Sequence, residues 1–301
     1  MAGGTYLFFD GALEYYFKWY VASTIFFGIT FGFFKILLDL LKLERYAKKD
    51  KNDKLLFAGL WTANTHHFVV NILVLMTIYY PKCNPNTFLA QVREEDCFYY
   101  SDSLAVRNLM FTCGYLTYDL ILLFTVYDQK DKLTTQMKWH HVVGSSGLVA
   151  AIYAGYCFPN LGNIALTCEV STMFLNYRSM YTKEELGKPV PMVNQLVFFF
   201  TFTIFRIISF PIIIVYELYG IYMVFNQVNA LRKFAIFVQF ANLVWMLCLN
   251  FMWYGLILKG LKKLLQGAGL LAPDAKTGDK KKEVRDKLVD SDEKAPENGP
   301  E

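Results

Sequence analysis

All four histidines of this chain fall in two adjacent pairs, His66-His67 and His140-His141. Imidazole titrates near neutral pH, so it can serve as general base, general acid or acyl-accepting nucleophile. Both pairs lie within, or at the edge of, strongly apolar segments. A titratable side chain in hydrocarbon costs several kcal/mol unless partners satisfy it, which makes each pair a functional candidate. Carboxylates that could orient such rings and stabilise their cations lie in similar segments, at Asp119 and Glu169. Asn176, Arg178 and Arg206 complete the set of polar groups that could bind a ligand there. Glu169, Thr172 and Asn176 are spaced three and four apart, so they share one stripe of a helix. Neighbouring helical residues diverge by about 100°, so only one histidine of each pair can point squarely into a common cavity.

Bland readings stand beside these. Asp119 or Arg206 alone could simply pair to hold helices together. His66-His67 could be satisfied core histidines, and His140-His141 an interfacial pair bonding headgroups. No metal site is expected. The histidines lack the repeated three- or four-residue box spacing of membrane di-iron enzymes, and the six cysteines show no CxxC spacing. Cys83 and Cys97 share one loop and could pair if it faces an oxidising lumen; the other four cysteines sit in apolar runs as buried thiols.

The elements that must position these residues are membrane spans. At 301 residues, 54% hydrophobic and 17% aromatic, the chain has too many runs of about 20 apolar residues for a soluble core. The fold class is all-α, a polytopic transmembrane bundle of about seven spans, or six if the first is only interfacial. The spans are expected near 17–41, 55–80, 104–127, 140–157, 161–177, 193–216 and 234–258, with Pro211 kinking the sixth. In this reading His140-His141 open the fourth span. Basic residues dominate alternate loops and the C-terminal flank, so the positive-inside rule puts the N-terminus outside or lumenal and the C-terminus in the cytosol. Domain boundaries follow. Residues 1–47 form an N-terminal segment with the first span, 48–265 the main transmembrane domain, and 266–301 a charged cytosolic tail too poor in large apolar side chains to fold. The net charge of +4 is modest and gives no reason to expect nucleic acid.

The order of motifs is distinctive. Gly114-Tyr115-x-x-Tyr118-Asp119 is followed by Met137-x-x-His140-His141, then by Glu169-x-Ser171-Thr172-x-Phe174-Leu175-Asn176-x-Arg178. This combination resembles the TLC-domain family over about Lys48 to Lys263. That family includes ceramide synthases, translocating-chain-associating membrane proteins and smaller TLC-domain-containing proteins. The resemblance implies a multi-pass protein of the endoplasmic reticulum concerned with lipids. In ceramide synthases the corresponding histidine pair is required for acyl transfer from acyl-CoA to a long-chain base. Departures from that enzyme pattern are clear. Leu161-Gly162-Asn163-Ile164-Ala165 lacks the further His-Asp pair and the Asp that ceramide synthases carry there, and the homeobox-like segment is absent. Trp61-x-x-Asn64-x-x-His67 stands where the family has Arg-x-x-Ser-x-x-His. The chain is therefore more similar to the small TLC-domain-containing proteins. The expected function is lipid homeostasis, with an acyl chain or phospholipid bound in an intramembrane chamber. A ceramide-synthase-like acyl-CoA-dependent N-acyltransferase and a structural or cargo-binding subunit are the alternatives. Membrane lipids are the expected partners, acyl-CoA would be a co-substrate rather than a cofactor, and a homo-oligomer is compatible with the resemblance.

Overall fold

A computed structural model describes residues 12–80, 94–127, 132–182, 185–186 and 188–272. The chain divides into two compact units, Met1–Gly255 and Leu256–Glu301. The first is a helical bundle without strands among the described residues. In the second, the described chain finishes α10 and ends in a turn where Gln266 Nε2 donates to the Ala272 carbonyl at 3.0 Å. The tail beyond residue 272, Cys83, and the acidic N-terminal residue Asp10 lie outside the described residues.

The bundle begins with α1 (Ala12–Leu41), a one-turn α2 (Glu44–Ala47) and α3 (Lys51–Tyr79). Asp50 caps α3, its carboxylate accepting from the Asp53 amide at 2.8 Å. A short 3₁₀ turn, Glu95–Tyr99, precedes α4 (Ser103–Thr125), which Asp102 caps through the Leu104 amide. Cys97 in that turn is disulfide-bonded, while Cys113, Cys157, Cys168 and Cys248 are free. α5 (Lys132–Ala154) reverses into α6 (Phe158–Ala165) through Gly155 and Tyr156, both in the left-handed region at φ 72 and 52. Gly155 takes that conformation without a Cβ penalty.

Two passes are broken rather than continuous. α6 tightens into a 3₁₀ turn at Leu166–Cys168 before α7 (Glu169–Ser179). α8 (Pro189–Phe202) widens into a π segment at Thr203–Ile208 before α9 (Ser209–Val224). The sixth pass therefore departs from regularity ahead of Pro211, with the extra residue of the π turn absorbing the clash a proline makes with the preceding turn. A last 3₁₀ turn, Phe225–Gln227, leads to α10 (Ala230–Gly267).

Among the described residues, three helical stretches are long and apolar enough to cross a membrane by length and composition: Tyr16–Leu41, Pro189–Gln227 and Ala230–Gly267. The passes made by α3, α4, α5 and α6–α7 carry most of the buried polar residues, which lowers their apolarity. Their polar groups turn inward, as they must where lipid offers no hydrogen bonds.

α1 is packed into the bundle, in keeping with seven passes rather than six. It lies along α4 at Gly114, where an added Cβ would sit 2.6 Å from both the Ser23 Cβ and the Tyr20 carbonyl. The close approach lets Ser23 Oγ donate to the Phe111 carbonyl at 2.6 Å and Thr24 Oγ1 to the Gly114 carbonyl at 3.1 Å. Small residues admitting neighbouring backbones are the usual means of packing helices in membranes. Farther on, Phe27 of α1 packs with Ala63, Tyr115 and Tyr118, walling off the centre of the bundle.

Candidate functional site

Each histidine pair gives one ring to a carboxylate. His141 Nε2 lies 2.8 Å from Asp119 Oδ2, linking α5 to α4. Its other nitrogen, Nδ1, lies 2.8 Å from the Met137 carbonyl one turn back. Both ring nitrogens of His141 thus face acceptors, and only a ring carrying two N–H groups satisfies both. In the other pair, His67 Nδ1 lies 3.0 Å from Glu169 Oε2, linking α3 to α7. Glu169 opens α7 directly after the 3₁₀ turn, its own amide already bonded back to the Leu166 and Thr167 carbonyls, so its carboxylate is met by His67 rather than by a free helix start.

Among the described residues, the remaining histidine of each pair keeps a bare nitrogen, in unlike surroundings. His66 is completely buried, its Nδ1 3.3 Å from that of His67 and its Nε2 without a hydrogen-bond partner. It stacks on Tyr115 with ring centroids 3.8 Å apart, and Phe27 meets it edge-on. His140 is half-buried, packs edge-on against Trp253 at 5.5 Å, and has an Nδ1 without a hydrogen-bond partner. His140 and Glu169 both line an internal cleft of about 80 Å³. Gly144, Gly147, Ala151, Gly162 and Ala165 give that cleft a wall of small residues, and leucines, Phe210 and Met246 make it apolar. From His140 to Ala151 the cleft follows about 16 Å of α5 at the helical rise.

The expected fourth-span boundary needs correction. His140-His141 do not open the helix; α5 begins at Lys132, about two turns earlier. Lys132, Gln136 and Lys138 belong to that polar start, which disguised it as a loop in the sequence. The correction sets the pair deeper in the bundle, level with Asp119.

Arg206 projects from the π segment, where its side chain is cradled by neutral oxygens. Its Nε donates to Ser171 Oγ at 2.9 Å, its Nη2 to Thr172 Oγ1 at 2.8 Å and its Nη1 to Asn250 Oδ1 at 3.2 Å. Asn176 Nδ2 donates to Asn64 Oδ1 at 3.0 Å, clasping α7 to α3 one turn along α3 and two along α7 from the His67–Glu169 contact. The stripe on α7 is therefore shared between two neighbours, with Glu169 and Asn176 serving α3 and Thr172 serving Arg206. Arg178 stands apart, half-buried in the last turn of α7 and without a hydrogen bond to this group among the described residues.

Some contributors had no conspicuous sequence signal. Tyr115 and Trp253 are ordinary aromatics until their rings meet His66 and His140. Asn250 and Gln239 are isolated amides in a long apolar helix, while the buried Glu217, an acid in an apolar run, carries a signal of its own. Among the described residues no group of three or more His, Cys, Asp or Glu could hold a metal ion.

Fold and site together define a multi-pass helical membrane protein whose centre is a layer of histidines and carboxylates. The particular family follows from comparison: the chain belongs to the TLC-domain family, whose model matches residues 57–259 and so includes every residue of that layer. A TLC domain-containing protein of Acanthamoeba polyphaga mimivirus is 27% identical over 164 residues, spanning 51% of this chain and 77% of that protein. No solved structure matches the chain.

Proposed function

We propose that this protein handles membrane lipid by taking an acyl chain into the apolar cleft, with the polar end of the lipid held at His140 and Glu169. The observation that carries the reading is the cleft itself, lined mainly by apolar and small side chains, with His140 and Glu169 among the few polar ones. Small residues on α5 and α6 leave the lane in which a chain can lie. His141 and Asp119 hold α5 against α4 and fix the rotation that presents His140.

Acyl transfer is the second reading, and the bare Nδ1 of His140 favours it. In that reaction the ring nitrogen accepts the proton of an attacking amine as the new bond forms at the thioester carbonyl. The thiol of coenzyme A then leaves with that proton. His141 is less suited to this role because both its nitrogens face acceptors.

A cytosolic C-terminus accords with the alternating basic loops, and residence in the endoplasmic reticulum with the family resemblance. The disulfide at Cys97, at the end of the bundle remote from those loops, supports the same orientation.

The test is to purify the protein in detergent, identify co-purifying lipid by mass spectrometry and assay acyl transfer from acyl-CoA to a long-chain base. Wild type should retain lipid and Gly144→Leu, which fills the cleft, should not. Turnover lost in folded His140→Ala but kept in part by His141→Ala would favour catalysis. Lipid without turnover would leave the binding reading alone, and neither lipid nor turnover would sink both.

A further inference from the structure

The far end of the cleft carries a polar group that chain burial alone does not require. Gln239 of α10 is 2% exposed and forms part of the cleft wall. Its amide nitrogen donates twice, to the Phe158 carbonyl at 3.3 Å and to Glu217 Oε2 at 3.3 Å. The bond to Phe158 sets the amide, because a backbone carbonyl can only accept and so must face the amide nitrogen rather than its oxygen. Gln239 Oε1 is consequently left pointing away from that carbonyl, buried and without a donor among the described residues. Glu217 is fully buried behind it, with Oε1 also lacking a hydrogen-bond partner. Gly220, one turn along α9, packs so closely on Cys157 that an added Cβ would lie 2.7 Å from its sulfur. The pair is therefore held in a tightly packed corner and cannot swing out to solvent.

An unsatisfied buried acceptor is destabilising. A plain hydrocarbon tail filling the cleft would leave that cost in place, whereas a tail bearing a hydroxyl would remove it. Gln239 precedes Trp253, the neighbour of His140, by about 21 Å of helix, so the acceptor meets the tail far from its polar head. We infer that the cleft selects lipid tails carrying a hydroxyl group, with Gln239 Oε1 accepting from that hydroxyl and Glu217 holding the amide in place. This inference rests on the proposal that the cleft takes an acyl chain. Sites built to bond a substrate hydroxyl discriminate strongly against the analogue lacking it, since the site's own polar group is then left bare.

The experiment is a competition on the wild-type protein, stripped of lipid in detergent and read by native mass spectrometry. It is offered octadecanoic acid with an equimolar mid-chain-hydroxylated or terminally hydroxylated derivative. At least one hydroxylated acid should occupy the protein tenfold or more over the plain acid. Gln239→Met, close in volume, should abolish that preference while retaining binding, and Glu217→Gln should leave a residual preference because the amide keeps a partner. Equal occupancy by plain and hydroxylated acids in wild type would overturn the inference while leaving chain binding intact. Binding of none of the acids would overturn the acyl-chain reading as well. A preference that survives in folded Gln239→Met would assign it to another residue and contradict the inference.

Discussion

His66-His67 and His140-His141 are the same dipeptide in two unlike places. Each pair commits one ring to a carboxylate from a neighbouring helix, His67 to Glu169 and His141 to Asp119. They differ in what surrounds the second ring. His66 is sealed among Tyr115, Phe111 and Phe27 with no exposed surface. His140 borders the cleft. The lesson is that adjacency on a helix divides labour: a divergence of about 100° sends one ring to the structure and its neighbour somewhere else. Whether the neighbour meets a wall or an opening is decided by the packing helix. Phe27 of α1 closes off His66, while the small residues Gly144 and Gly147 of α5 leave space next to His140.

The strongest way to break this comparison is to remove a carboxylate. Glu169→Ala should destabilise the folded protein by about 3–5 kcal/mol, the usual cost of leaving one member of a buried pair unmatched. Thermal unfolding in detergent measures it, and a loss near zero would mean that His67 does not depend on Glu169. A smaller effect is expected from Gly114→Leu, which pushes α1 off α4. Overpacking should cost about 1–3 kcal/mol and also unseal His66, visible as faster amide exchange in the middle of α3. The smallest effect belongs to His66→Phe. This swap keeps the ring stack on Tyr115 and removes an unpartnered nitrogen, so stability should change by less than about 1.5 kcal/mol and bound lipid should be unaltered. Loss of lipid from a well-folded His66→Phe variant would erase the distinction between the pairs.

Much of this arrangement was legible in the sequence because membrane burial makes polar residues conspicuous. Asp119, both histidine pairs, Glu169, Asn176 and Arg206 all stood out against apolar surroundings, and all but Arg178 of the selected set join the central layer. Helix geometry at finer scale was not legible. Nothing in Leu166-Thr167-Cys168 announces a 3₁₀ turn, yet that turn makes Glu169 the first residue of α7. The π segment holding Arg206 was read only as a proline kink, because Pro211 has a known effect on the chain and Thr203–Ile208 has none of its own. The start of α5 was misplaced since Lys132, Gln136 and Lys138 read as loop, although a helix can project beyond hydrocarbon with polar residues. Which histidine faces the cleft depends on helix rotation, and rotation is fixed by contacts such as His141 with Asp119 that periodicity alone does not reveal.

The central claim is that His140 meets the ligand and His66 does not. Histidine-selective acylation by diethyl pyrocarbonate, followed by peptide mass spectrometry, tests this on the unmodified protein with and without bound lipid. His140 should label in the lipid-stripped protein and be protected once lipid is restored, while His66 stays unlabelled in both states. Equal labelling of His66 and His140, or labelling of His140 that lipid does not change, would contradict the account.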